Sequence, residues 1–150
     1  MDSLKKNVVV SFLGTVLDNS GQGNGRWRKW RPNVAMHQYP DFQFDRVELL
    51  IQTKFLALAE RIKSDIQQVS PHTEVNFIPL EMENPWDFSE VYTKLHEWAH
   101  HYPFDIEKEN YITHITTGTH VAQICLFLLV ESRQIPSVLL QTAPPKNQQK

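Results

Sequence analysis

The segment of this sequence best suited to hold an anion is Thr116-Thr117-Gly118-Thr119-His120. It lies where an extended pattern gives way to a helical one. Its amides therefore fall at a helix N-terminus, where unpaired donors and a partial positive charge collect. Three hydroxyls add donors, and Gly118 lets a phosphate approach the backbone closely. The segment is neither a Walker A loop, since the Gly-Lys-Ser/Thr ending is missing, nor a GxGxxG fingerprint. Its bland alternative is a threonine-rich cap on a tight turn. His120 is the histidine best placed to touch a ligand.

Arg26-Trp27-Arg28-Lys29-Trp30-Arg31 interleaves cations with aromatics. Arginines pair with phosphates and tryptophan faces stack on bases. Gly21, Gly23 and Gly25 just before it suggest a mobile arm. The competing reading packs the tryptophans on the domain and leaves the charges solvated. His96-Glu97-Trp98-Ala99-His100 matches the HExxH zinc-protease pattern. Both histidines fall on the polar flank of a helix, no third ligand is identifiable, and surface histidines are the favoured reading. Cys125 falls on a buried stripe and reads as core, as does His114 or as a near-site residue. No catalytic residue, metal ligand or cofactor site is assigned.

The elements that must position these residues alternate. Asn7–Leu13, Arg46–Ile51, Glu74–Met82, Tyr111–Thr116 and Ser137–Gln141 read as strands. Phe55–Val69, Asp87–Tyr102 and a segment from about His120 to Gln134 read as helices. In the last, Val121, Ile124, Cys125, Leu128 and Leu129 form the expected buried stripe. The stretch from Gly14 to about Asp45 reads as one long polar loop. Alternation of this kind implies an α/β, Rossmann-like, doubly wound and mainly parallel sheet with helices on both faces. The expected strand order is 3-2-1-4-5, with its switch point between the first and fourth strands. Ligands in such sheets bind outside the carboxyl ends of the strands at that point. This brings the Gly14-Thr15 loop and the Thr116–His120 loop to one site, with Asn84-Pro85-Trp86 contributing from the end of the third strand.

The chain has 150 residues, the size of one domain, with 41% hydrophobic and 21% charged residues. A net charge of −2 argues against a wholesale DNA binder. The basic cluster is local: Gly21 to Gln38 holds four cations and no acid. One cysteine, no secretory pattern and no membrane-length apolar run fit a cytoplasmic protein without a membrane partner. Residues 5–143 read as the domain. Residues 144–150, opened by Pro144-Pro145, read as the start of a linker.

Taken together, Val9–Thr15, Arg28–Pro32, Asp45–Leu50, Asn84–Phe88, Leu139–Thr142 and above all Tyr111–Cys125 resemble the N-terminal domain of the RtcR family. These are sigma-54-dependent transcription activators of the bacterial RNA-repair operon, and the domain is of the CARF (CRISPR-associated Rossmann-fold) group. The resemblance implies a homodimer that binds an RNA-derived ligand at the loops after the first and fourth strands. Such a ligand is an RNA fragment with a 2′,3′-cyclic phosphate end or an oligoadenylate-like molecule. It also implies a downstream AAA+ ATPase module, a DNA-binding module and sigma-54 RNA polymerase as partners of the full-length protein. Thr116–His120 carries threonine at one usual glycine of the CRISPR relatives and histidine at their usual lysine. That departure suits a different RNA end. The expected ligand contacts are Gly14, Thr15, Arg26, Trp27, Arg28, Trp30, Arg31, Asn84, Trp86, Thr116, Thr117, Gly118, Thr119 and His120. The alternative function is a phosphodiesterase of the ring-nuclease type acting on the bound oligonucleotide, with His120 as general acid or base. The last two helices and the long loop are each candidates for the dimer surface.

Overall fold

A computed structural model describes residues 2–146. The part of the expected linker at 147–150 lies outside the described residues. Five strands form one parallel sheet in the order β3-β2-β1-β4-β5. They are β1 (Lys6–Phe12), β2 (Arg46–Ile51), β3 (Glu74–Pro79), β4 (Glu109–His114) and β5 (Val138–Leu140). The expected order and class hold; β2 keeps its expected bounds, and the other strand ends shift by at most three residues, β3 stopping at Pro79 where Met82 was expected.

Val8, Val9 and Val10 of the central strand are all fully buried, because β1 is covered on both faces. Alternation then sorts the side chains. Val9, Val47, Leu49 and Ile51 pack against α1 (Pro32–Ala35) and α2 (Leu56–Val69). Val10, Phe12 and Leu50 pack against α3 (Phe88–His101) and α4 (His120–Glu131). Asp87 caps α3 by accepting from the Ser89 amide at 3.2 Å. The chain leaves α4 through Arg133 in a left-handed conformation (φ 63°).

Two expectations are corrected. The stretch from Gly14 to Asp45 is not one mobile loop: it contains a 3₁₀ helix, Gly23–Arg28, and then α1. Pro32 opens α1 with its φ already set, and Val34, Met36 and Phe44 join the core. On α4, the buried residues are Ala122, Cys125, Leu126, Leu129 and Val130. Ile124 and Phe127 are 52% and 45% exposed, and Leu128 is also exposed. This helix is apolar nearly all round, so its sequence period does not reveal which side faces the sheet. Among the described residues no helix is long and apolar enough to cross a membrane.

Candidate ligand-binding cleft

At the carboxyl end of the sheet lies a cleft of about 510 Å³. Four loops line it: Gly14–Leu17 after β1, Gln52–Phe55 after β2, Leu80–Trp86 after β3 and Thr116–Gln123 after β4. The β1 and β4 loops touch directly. The Thr117 hydroxyl donates to the Phe12 carbonyl, and a Cβ on Gly14 would sit 2.9 Å from Thr117 Cγ2. Only glycine fits there.

The threonine hydroxyls do a different job from the expected one. Thr117 is buried and donates inward to Phe12. Thr119 accepts from the Ala122 amide at 3.1 Å, capping α4, and donates to the Pro85 carbonyl at 2.8 Å. Thr116 accepts from the Thr142 amide at 2.8 Å. These hydroxyls shape the loop. Its amides are what remain for a ligand: among the described residues, those of Thr117, Gly118, Thr119, His120 and Val121 donate to no protein acceptor. Gly118 holds φ +93°, a conformation glycine adopts without penalty.

A buried polar cluster supports the loops from below. Asp18 accepts from the Gly14 amide at 2.7 Å, from the Asn33 amide at 3.1 Å and from Asn33 Nδ2 at 2.6 Å. Burial pushes its carboxyl up, against the lowering effect of those hydrogen bonds. Asn33 Nδ2 also donates to the Phe12 carbonyl, and Asn33 Oδ1 accepts from Ser11 Oγ at 2.6 Å. With the Ser11 proton on Asn33, His114 Nδ1–H donates to Ser11 Oγ (3.0 Å). Its Nε2 then accepts from Thr142 Oγ1 (2.9 Å). Sequence reading missed Ser11, Asp18 and Asn33, because each is one polar residue in a stretch whose partners are set by the fold.

Burial lowers His114 to about 4. Burial, with repulsion from His114 and His72, lowers His37 to about 4. Both His37 ring nitrogens are buried without a hydrogen-bond partner. Unfolded, each histidine titrates near 6.5. Below that pH the unfolded chain binds protons that the folded chain refuses. Stability is therefore full above about 6.5 and falls by about 1.4 kcal/mol per pH unit per histidine down to about 4. Urea titrations from pH 7 to pH 4 are expected to show this slope, and His37→Phe to halve it. A flat profile would contradict the assignment.

The basic segment is mostly elsewhere. Arg31 and Asp65 have side chains each only 2% exposed and pair at 2.6 Å, while Arg26 reaches the same carboxylate at 2.8 Å. Trp27 packs on the core, with the Arg26 and Arg31 guanidiniums 5.4 and 5.0 Å from its ring. This corrects the expectation that Arg26, Trp27 and Arg31 hold a ligand: Asp65 and the core already engage them. Trp30 is half-buried, Arg28 is exposed, and neither lines the cleft. Asn84 does not line it either. Its side chain accepts from the Trp86 amide at 3.0 Å and shapes the turn that presents Trp86. Trp86 is 61% exposed and meets His120 edge-on, ring centroids 6.2 Å apart. Gly14, Thr15, Trp86 and Thr116–His120 thus come together as expected. Gln52, Lys54 and Phe55 of the cleft were missed. The signal was available: every strand of a parallel sheet delivers its loop to the same rim.

The HExxH histidines stack on each other at 5.8 Å along α3, in a ladder with Tyr92 and Phe88, away from the cleft. Among the described residues no cluster of three or more His, Cys, Asp or Glu is placed to hold a metal. Burial raises the Cys125 thiol to about 11 and leaves it unreactive.

Residues 5–150 match a family model described as "RtcR: Regulator of RNA terminal phosphate cyclase". The chain belongs to the RtcR family. It is 50% identical over 146 residues to the transcriptional regulatory protein RtcR of Escherichia coli (strain K12). That alignment covers 97% of this chain but 27% of the relative, so the RtcR-family segment described here spans about a quarter of the relative's length. Among solved structures, Enterococcus italicus Csm6 bound to cyclic hexa-2′-fluoro-hexa-dAMP superposes with a TM-score of 0.66 at 15% identity. The match covers 94% of this chain and 35% of that one. The RtcR-family domain shares its fold with that protein.

Proposed function

We propose that this domain is the regulatory sensor of a sigma-54-dependent activator, and that it binds an RNA-derived ligand in the cleft. The observation that carries the reading is the β4–α4 loop. Its five amides, which donate to no acceptor among the described residues, stand at a helix N-terminus beside His120 and the exposed Trp86, in a cleft that no described carboxylate lines. A terminal phosphate sits on those amides, His120 hydrogen-bonds to it, and Trp86 stacks on a base. A same-fold protein bound to a cyclic oligonucleotide supports the ligand class. Among the described residues His120 is the one histidine lining the cleft, and no carboxylate lines it to serve as a partner acid or base; this reading therefore takes binding without turnover, and labelled oligoadenylate is expected to be recovered uncut.

Calorimetry with short RNAs ending in 2′,3′-cyclic phosphate, 3′-phosphate or hydroxyl tests this. The phosphorylated ends are expected to bind, His120→Ala to weaken them about tenfold, and the hydroxyl end to bind weakly. Equal binding of all three ends by wild type and variant would overturn the site.

Occupancy controls a downstream AAA+ module only if it favours one arrangement of the protein over another. The surface that serves is the outer face of α4, where Ile124, Phe127 and Leu128 leave apolar area uncovered in a single chain. We assign the homodimer contact to it. Phe127→Glu is expected to convert a dimer to a monomer in analytical ultracentrifugation while circular dichroism shows the fold retained; an unchanged dimer would place the contact elsewhere.

A further inference from the structure

Among the described residues the cleft is lined by one permanent positive charge, and it is not on the proposed phosphate-binding loop. Of those lining residues only Lys54 is a lysine or arginine, and none is acidic. Lys54 belongs to the loop after β2, an exposed side chain whose ammonium lies 5.3 Å from the Phe55 ring centroid. The acid that reaches this loop, Glu81, accepts from the Thr53 amide at 2.6 Å and the Thr53 hydroxyl at 3.1 Å. It fixes the turn, and no ion pair to Lys54 forms among the described residues.

The sheet order separates this charge from the amides of the β4 loop. Strand β1 lies between β2 and β4, so their ends stand about two strand spacings apart, roughly 9.5 Å. A single phosphate seated on the β4-loop amides therefore stands off the loop that carries Lys54. Between them the wall is apolar, with Leu13, Leu50, Ile51, Leu80 and Met82, which suits a base or ribose and not a charge. We propose that Lys54 pairs with a second phosphate, one nucleotide removed from the terminal one, so that the cleft selects an RNA of at least two nucleotides over a mononucleotide. This rests on the binding reading above and adds the ligand's minimum length.

The test compares adenosine 2′,3′-cyclic monophosphate with the dinucleotide ApA carrying a 2′,3′-cyclic phosphate, on wild type, Lys54→Ala and Lys54→Arg. The dinucleotide is expected to bind wild type more tightly. Lys54→Ala should weaken the dinucleotide about tenfold and leave the mononucleotide unchanged; Lys54→Arg should restore it. The slope of log affinity against log salt should fall by about 0.7 for the dinucleotide alone. Loss of both ligands alike, or of neither, overturns the role of Lys54 while the cleft reading stands. If wild type binds neither ligand, the cleft reading falls with it.

Discussion

Replacing Asp65 with asparagine is expected to destabilise the domain by about 3–5 kcal/mol and to lower its melting temperature by roughly 10 °C. The Asp65 carboxylate receives Arg26 Nε at 2.8 Å, Arg26 Nη2 at 3.1 Å and Arg31 Nη1 at 2.6 Å. Asparagine keeps the volume but removes the charge, leaving the buried Arg31 guanidinium uncompensated. Burial by itself would raise the Asp65 carboxyl, but the hydrogen bonds from Arg26 and Arg31 outweigh it and hold the group below the usual range. A carboxyl depressed on folding stabilises in full above its unfolded pKa, near 3.9. That contribution fades as pH falls through the lowered value. Asp65→Asn should therefore lose this acid limb as well. Arg28→Ala, an exposed neighbour in the same basic run, should change stability by less than about 0.5 kcal/mol. Equal melting of the Asp65 and Arg28 variants would show that the triad holds nothing together.

Gly118→Val is the substitution expected to damage binding most. At φ +93° a β-branched residue is strained by about 1–3 kcal/mol. Its Cβ would lie 3.3 Å from Ala122 Cβ and from Phe12 Cβ and Cγ, so the loop must shift outward. The amides of Thr117 to Val121 are then displaced, and each charge-assisted hydrogen bond lost to a bound phosphate is worth about 1.5–3 kcal/mol. Affinity for the phosphorylated RNA end should fall at least about a hundredfold while the sheet stays intact. Calorimetry on a folded variant, checked by circular dichroism, reads both. A folded Gly118→Val domain with wild-type affinity would remove the loop from the site.

Much of the architecture was legible because its signals are local. β-branched runs such as Val8–Val10 mark strands buried on both faces, and caps such as Asp87 and Thr119 mark helix starts. Alternation with helices then admits few topologies, and the β1 and β4 loops meet as that topology requires. The cleft was legible in its loops but not in its atoms. Thr116, Thr117 and Thr119 were read as ligand donors, yet each hydroxyl bonds to a segment distant in sequence: Thr142, Phe12 or Pro85.

The amino-acid sequence by itself determined the strand order, the boundaries of the three long helices to within a few residues and the placing of a glycine-containing loop at the switch point, because periodicity, capping and chain direction are short-range properties. Only the tertiary structure decided which cations are free and which face of α4 is uncovered. Arg26 and Arg31 meet Asp65 across 39 and 34 residues, and Lys54 reaches the cleft from a loop with no motif of its own. Charge pairing and helix rotation depend on what the fold brings alongside, and no spacing along the chain records that.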